Sequence, residues 1–513
     1  MSSERKDFLF DLIKSLSKSE KRQFKVYAGR LEGNAEAKFI ALFNLLEKAS
    51  NYNDSYILKS GIVKKQQLSN LKAHLYRQIL ISLRLAPANK NVRNGIREQL
   101  DFASVLYNKG LYKQALKILD KAKNTALEFS ENNLAYEIVE CEKLIEGQYI
   151  TRSMESRADE LVEQAGNLSE KNALTSKLSN LSLRLYSFFL KYGYVRNTED
   201  LEYIQQYYQN NFPVIDHSRL GFREKIYLYQ AGLWYNFITQ NFLNCYRYAG
   251  RWVELFYSDT KMIGANPVFF LKGNHYLLEA LFFLRKKSTF QEYLNRFEYW
   301  LENGAFTLND NTRALSFLYL YSNRIHLHFM NGTFNEAREI VPEVLDKMKL
   351  NKDRIDDHHL MVLNYKIACI YFGAGDNEKS IVFLEKIIKN RTLGMREDLM
   401  CYSRILNLIA HYEAGIDYEL DSLIKSTYTF LIKMNDLHLV QKELIRFLRN
   451  LGNIYPSELK AEFNRLYKEL KALEKDPLES RSFLYLDILS WLESKMECIP
   501  VDKVIQRKSY QLK

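Results

Sequence analysis

The sequence predicts an all-α protein, and three observations carry that prediction. Proline and glycine are scarce, at 7 and 20 in 513 residues, so the frequent tight turns of a β-sandwich are missing. Apolar residues recur at helical spacing. Turn signals near Gln240, Ser288, Gly332, Gly375 and Gly415 follow one another at 48, 44, 43 and 40 residues. A hydrophobic share of 47% supplies ample core material.

Residues 1–90 read as a basic N-terminal helical domain. Residues 1–100 hold 19 Lys+Arg against 9 Asp+Glu, which leaves 54 against 53 for the rest, so nearly all of the net +11 belongs to this segment. Such an asymmetry speaks to partners rather than to fold. Ser17 and Glu20 have the spacing of a capping box. Phe24, Tyr27, Ala28 and Leu31 then form a buried stripe, and Lys18, Arg22 and Lys25 the opposite face. A helix over "AKFIALFNLLEKA", a short one at "DSYILKSG" and a long one over "KKQQLSNLKAHLYRQILISLRL" complete the bundle. In the last, Leu68, Leu71, Leu75, Ile79 and Leu83 face inward, and Gln66, Asn70, Arg77 and Arg84 outward. That order is also the order of a helix-turn-helix, whose final helix reads base edges through Gln, Asn and Arg while Lys18, Arg22 and Lys25 hold phosphates. The competing reading is a solvated basic face on a capping or partner-docking domain.

Residues 91–455 read as an array of helical hairpins. In "FASVLYNKGLYKQALKILDKA", Ala103 and Leu106 lie on one helix, Gly110 turns the chain, and Ala115, Leu119 and Ala122 mark the face of the next. Gly332, Phe334 and Ala337 repeat the positions of Gly110, Tyr112 and Ala115, and Ala368, Gly375, Ser380, Leu384 and Ile387 repeat the pattern again. Two missing turns are expected near Arg152 and at "YGYVRN", giving about eight hairpins. Pro87, Pro213, Pro267, Pro456, Pro477 and Pro500 fall at helix edges, whereas Pro342 predicts a kink or break inside a helix. Residues 456–513 read as C-terminal capping helices and a frayed basic tail.

The small residues at Ala103, Ala115 and Ala122, the turn glycine and the aromatic two residues after it resemble the tetratricopeptide repeat (TPR). The period exceeds the 34 residues of that repeat, a difference that helices one or two turns longer absorb. The resemblance implies a TPR-like right-handed α-solenoid whose first helices line a concave groove for a protein or peptide. It assigns to that groove Arg97, Ser104, Tyr107 and Asn108; Tyr227, Gln230 and Trp234; His275 and Arg285; Tyr319, Ser322 and His326; and Tyr402 and Tyr412. The place that holds asparagine and basic residues in carboxylate-clamping TPR domains is here Ser104, Trp234, Phe282, His326, Cys369 and Ile409, so that clamp is not supported.

No phosphate-binding loop, dinucleotide fingerprint, nucleophile elbow or zincin pattern occurs. The nearest metal candidates, "DDHHL" at Asp356–Leu360 and the pair His326 and His328, lack the i, i+4 spacing a helix needs. The five cysteines lie at least 32 residues apart and suggest neither zinc nor disulfides. The sequence thus predicts a non-enzymatic binding scaffold without metal or cofactor, cytoplasmic and not membrane-inserted. The alternative resembles bacterial regulators that join a nucleic-acid-binding helical head to a TPR-like sensor.

Overall fold

The computed structural model describes residues 7–30, 34–86, 91–149, 154–304, 308–390, 396–451, 454–455, 457–476, 479, 482–485 and 487–511. Among these residues there is no strand. The chain divides into two compact units, Met1–Val162 and Glu163–Lys513.

The first unit holds α1 (Phe8–Ser15), α2 (Lys18–Ala28), α3 (Asn34–Lys48), α4 (Asp54–Lys59), α5 (Lys65–Leu85), α6 (Val92–Asn108), α7 (Tyr112–Glu128) and α8 (Asn132–Gln148). Helix α2 starts with the expected capping box, Ser17 accepting from the Glu20 N–H and Glu20 accepting from the Ser17 N–H. Leu9, Ile13, Phe24, Phe39, Phe43, Leu75 and Ile79 form a core that α1 to α5 share. Residues 1–90 therefore have a core of their own, although the compact division falls beyond α8, at 162/163. Helices α6 and α7 pack together across Gly110, whose φ of +70° suits only glycine at low cost. A buried ion pair, Lys123 Nζ to Glu142 Oε2 at 2.6 Å, ties α7 to α8.

The long helix α9 (Met154–Tyr192) continues into the second unit. There follow α10 (Thr198–Asn211), α11 (Phe222–Ile238), α12 (Phe242–Ser258), α13 (Lys261–Ala265), α14 (Pro267–Phe283), α15 (Lys287–Asn303), α16 (Asp310–Asn331) and α17 (Phe334–Leu350). The remainder is α18 (Asp357–Gly373), α19 (Asn377–Ile388), α20 (Glu397–Glu413), α21 (Asp417–Lys433), α22 (Leu439–Asn450), α23 (Leu459–Leu473), α24 (Ser482–Tyr485), α25 (Ile488–Glu497) and α26 (Val501–Gln511).

Paired helices join at left-handed turn residues: Gly193, Gln240, Arg285, Gly332, Gly375 and Gly415. Five of these were legible as turns or breaks. The sixth lies at Arg285, three residues before Ser288, which belongs to α15. The break at "YGYVRN" separates α9 from α10, whereas Arg152, Pro87, Pro456 and Pro477 lie outside the described residues. Leu31, the last member of the α2 stripe, also lies outside them.

Two further expectations need correcting. Of the kink or break expected at Pro342, the break does not occur: helix α17 continues through it, because Ala337, Val341 and Val344 are buried along one face and hold both halves to the core. The supposed frayed tail is helix α26, docked on the turn at Gly332, where Gln506 Nε2 donates to the Gly332 carbonyl at 3.0 Å. A Cβ at residue 332 would stand 2.8 Å from the Asp502 carbonyl oxygen, so the turn and the terminal helix fit only with glycine there. Residues 456–513 share one core with α16 to α22, through Phe463, Leu466, Leu489 and Trp491.

Candidate functional site

The residues assigned to a groove separate into two environments. On α6, Arg97, Ser104 and Asn108 are exposed and, at i, i+7 and i+11, share one face of the helix with Asn94 and Asp101. Tyr107 lies at the edge of this strip, half-buried, and its hydroxyl donates to Gln148 Oε1 of α8 at 2.8 Å. The strip borders a cleft of about 690 Å³ with an apolar floor of Leu80, Leu83 and Leu100 and with Arg84, Arg97, Asp101 and Glu137 on its walls.

The second unit treats its assigned residues differently. Gln230, Trp234, Tyr319, Ser322, His326 and Tyr402 are buried, and Tyr227, His275 and Tyr412 are half-buried. An open strip through Trp234 and Tyr402 is therefore absent from this conformation. Tyr402 is part of the core, and Tyr412 packs on Phe463 and Trp491 of the terminal helices. Arg285 is exposed but sits in a turn, not on a first helix.

The cause of this burial lies in how the first helices meet. Contacts between α9 and α11 advance together along both: Thr175 with Glu224, Ser182 with Gln230, Tyr186 with Trp234, and Phe189 with Phe237. The two helices therefore run parallel. At the far end of the series, the start of α20 returns to the end of α9. The Arg396 N–H donates to the Leu190 carbonyl at 2.8 Å, and its guanidinium lies 4.8 Å from the Phe189 ring centroid. Arg396 also binds both carboxylate oxygens of the fully buried Asp398, each at 2.9 Å, and Arg196 reaches Glu397 at 3.5 Å.

Beside this contact lies a partly open cavity of about 120 Å³. Five of the assigned residues line it: Trp234, His275, Tyr319, Ser322 and His326. The His275 and Tyr319 rings stack at 4.5 Å, and those of His326 and Phe282 at 4.0 Å. Burial pushes both imidazoles well below the usual histidine range and that of His358 down to about 3, so all three are neutral at pH 7. The Tyr319 hydroxyl and the Nδ1 atoms of His326 and His358 are buried without a hydrogen-bond partner.

Glu279 and Lys366 also line the cavity and were not assigned from the sequence. Each is the single charge in an apolar run, "YLLEALFFL" and "NYKIACIYF", and that is the signal that could have found them. Among the described residues the one basic group within 4.0 Å of the Glu279 carboxylate is the neutral His275 ring, Nε2 to Oε2 at 3.7 Å, and Lys366 has no acidic group within that distance, so the two charges act on each other only from farther away. Burial raises the Glu279 pKa and pushes that of Lys366 down to about 8.

Lys366 thereby costs stability wherever the folded protein must carry it protonated. The unfolded chain holds the proton up to the ordinary lysine value of 10.5, the folded one only to about 8, so stability rises with pH across that window. Replacing Lys366 by methionine is expected to raise the unfolding free energy at pH 7 by about 3 kcal/mol. The gain should shrink as pH climbs from 8 to 10.5, which denaturant titrations at pH 7 and pH 10 would check.

A further cavity of about 200 Å³, lined by Phe282, Phe334, Phe372 and Phe483, lies beside α26. Its Lys508 is already held by Ser490 at 2.9 Å and Glu493 at 3.0 Å. Among the described residues no group of three or more His, Cys, Asp or Glu is gathered as a metal ion requires, and no helix is long and apolar enough to cross a membrane.

In the N-terminal segment, Lys18, Arg22, Lys25, Gln66, Asn70, Arg77 and Arg84 are all exposed. Two of these cations are engaged: Lys25 with Glu47 at 2.8 Å and Arg84 with Asp101 at 3.0 Å. Asn70, Arg77 and Arg84 recur at intervals of seven and share one face of α5. No protein-family model matches the chain, and no curated protein matches its sequence.

Proposed function

We propose that the chain is a non-enzymatic binding protein, a TPR-like right-handed α-solenoid that recognises a protein or peptide partner through the first helices of its hairpins. The observation that carries this reading is the strip on α6. Arg97, Ser104 and Asn108 stand exposed there, beside a cleft with an apolar floor and charged walls, while their counterparts in the second unit are covered by the chain itself. An extended or helical segment offering an apolar anchor and charged neighbours suits such a surface. The regular return of hairpin turns supports the repeat architecture.

A second reading has its own observation, the exposed Asn70, Arg77 and Arg84 face of α5 following the short α4. In it, residues 1–90 bind nucleic acid and the second unit acts as a sensor.

One experiment with two arms tests both. The full chain and its Arg97→Glu/Asn108→Asp variant are used for affinity capture from nuclease-treated lysate. The partner reading expects one set of proteins retained by the wild type and lost by the variant, with circular dichroism unchanged, because exposed substitutions alter stability by no more than about 0.5 kcal/mol. Equal retention by both would remove the α6 strip from recognition. In the second arm, DNA bound at 50 mM salt and lost by ~10³-fold at 200 mM would favour the regulator.

A further inference from the structure

We propose that the cavity of the second unit lined by Lys366 and Glu279 is a binding site for a small zwitterionic amino acid, with Lys366 receiving its carboxylate and Glu279 its ammonium group. The site is independent of the partner surface on α6.

The argument starts from the charges around the cavity. Arg396 is neutralised by Asp398 through two hydrogen bonds, and His359 is matched by Asp356, Nδ1 to Oδ2 at 2.8 Å. His275, His326 and His358 are neutral for the reasons given above. What remains is one ammonium and one carboxylate, on α18 and α14, separated by α16 and not paired with each other within 4.0 Å. They attract each other across the gap without a direct contact, and desolvating charges that do not meet costs several kcal/mol, where a protein that only needed a packed interior would carry leucine. Both charges face the same void. Glu279 lines the void and keeps 26% of its side-chain surface accessible, so a small ligand can reach its carboxylate.

The uncharged groups fit the same ligand. Tyr319 and His326 stand on α16, between the two charges, and their unpartnered hydroxyl and Nδ1 atoms are buried at the cavity wall. A carboxylate accepts from a tyrosine hydroxyl and from an imidazole N–H, so both orphan atoms are satisfied by the group that Lys366 attracts. Trp234, Tyr276 and Phe282 also line the cavity, and aromatic rings are favourable neighbours for an ammonium group. Size agrees: a cavity of about 150 Å³ accepts benzene, so 120 Å³ accommodates the charged groups and short backbone of a small aliphatic amino acid.

The test is equilibrium dialysis of the full chain against radiolabelled glycine, alanine, serine, β-alanine and γ-aminobutyrate. Acetate and methylamine serve as half-ligands. At least one zwitterion is expected to bind, with acetate and methylamine each weaker by ~10-fold or more. Lys366→Met and Glu279→Gln are each expected to abolish the binding. Lys366→Met is the stronger control, since that variant gains stability and its loss of binding cannot come from unfolding. No retention of any zwitterion at millimolar concentration would overturn the proposal. So would acetate binding as tightly as the best zwitterion, which would make the cavity a plain anion site, or retention that survives both substitutions, which would place the ligand elsewhere. Capture of a protein partner by the α6 strip is unchanged by Lys366→Met if the two sites are separate, so failure here leaves the partner reading standing.

Discussion

Replacing Gly193 by alanine is expected to destabilise the second unit by about 2–5 kcal/mol. Two costs add. Residue 193 adopts a φ of +77°, a conformation that disfavours any residue with a Cβ by roughly 1–2 kcal/mol. The new methyl group would also stand 2.1 Å from Asp398 Oδ2 and 2.2 Å from its Cγ. That carboxylate cannot swing aside, because Arg396 holds both of its oxygens and the residue is wholly buried, so the overlap must be relieved by parting α9 from α20 at about 1–3 kcal/mol. Urea unfolding followed through tryptophan fluorescence reports the change, since all four tryptophans lie in the second unit. A wild-type midpoint in Gly193→Ala would mean that α9 and α20 do not meet as described.

Removing the Arg396 side chain tests the same closure from the opposite partner. In Arg396→Met, Asp398 keeps its charge inside the fold and loses the guanidinium, a change expected to cost about 3–5 kcal/mol. The cation over the Phe189 ring is lost with it. The double variant Arg396→Met/Asp398→Leu leaves no charge behind and should recover most of the loss, since a well-packed apolar pair can replace a buried ion pair at little cost. Denaturant unfolding of the two single variants and the double one gives the coupling. Additive losses would contradict the account, because they would mean that the two side chains act separately.

Much of the architecture was legible because it is local. Gly110, Gly332, Gly375 and Gly415 mark turns that need a left-handed residue, and the sequence advertises that need by placing glycine there. The turn at Arg285 was misplaced by three residues because an arginine carries the same conformation without a compositional sign. The first-helix register was also readable, which is why Trp234, His275, Tyr319, Ser322 and His326 meet around one cavity.

What escaped is the closure itself. Arg396 and Leu190 are about two hundred residues apart, and no periodicity connects them. A weaker sign was present in α14 and α18, which are apolar nearly all round, as "PVFFLKGNHYLLEALFF" shows. A helix of that kind is covered on every side, so an open groove along it was the wrong expectation, and the lone Glu279 and Lys366 in such runs mark charges with an interior role. On α6, by contrast, Arg97, Ser104 and Asn108 form a polar face that only solvent or a partner can cover.

The claim that recognition takes place on α6 while Trp234 and its neighbours in the second unit are internal is tested most directly by photo-cross-linking in cells. A benzophenone amino acid is placed in the full chain at Ser104 in one strain and at Trp234 in another. The account predicts a cross-linked partner protein from position 104 and, from position 234, adducts within the chain only. A partner protein captured from position 234 and none from 104 would contradict it, and would show that the groove of the second unit opens to receive a peptide.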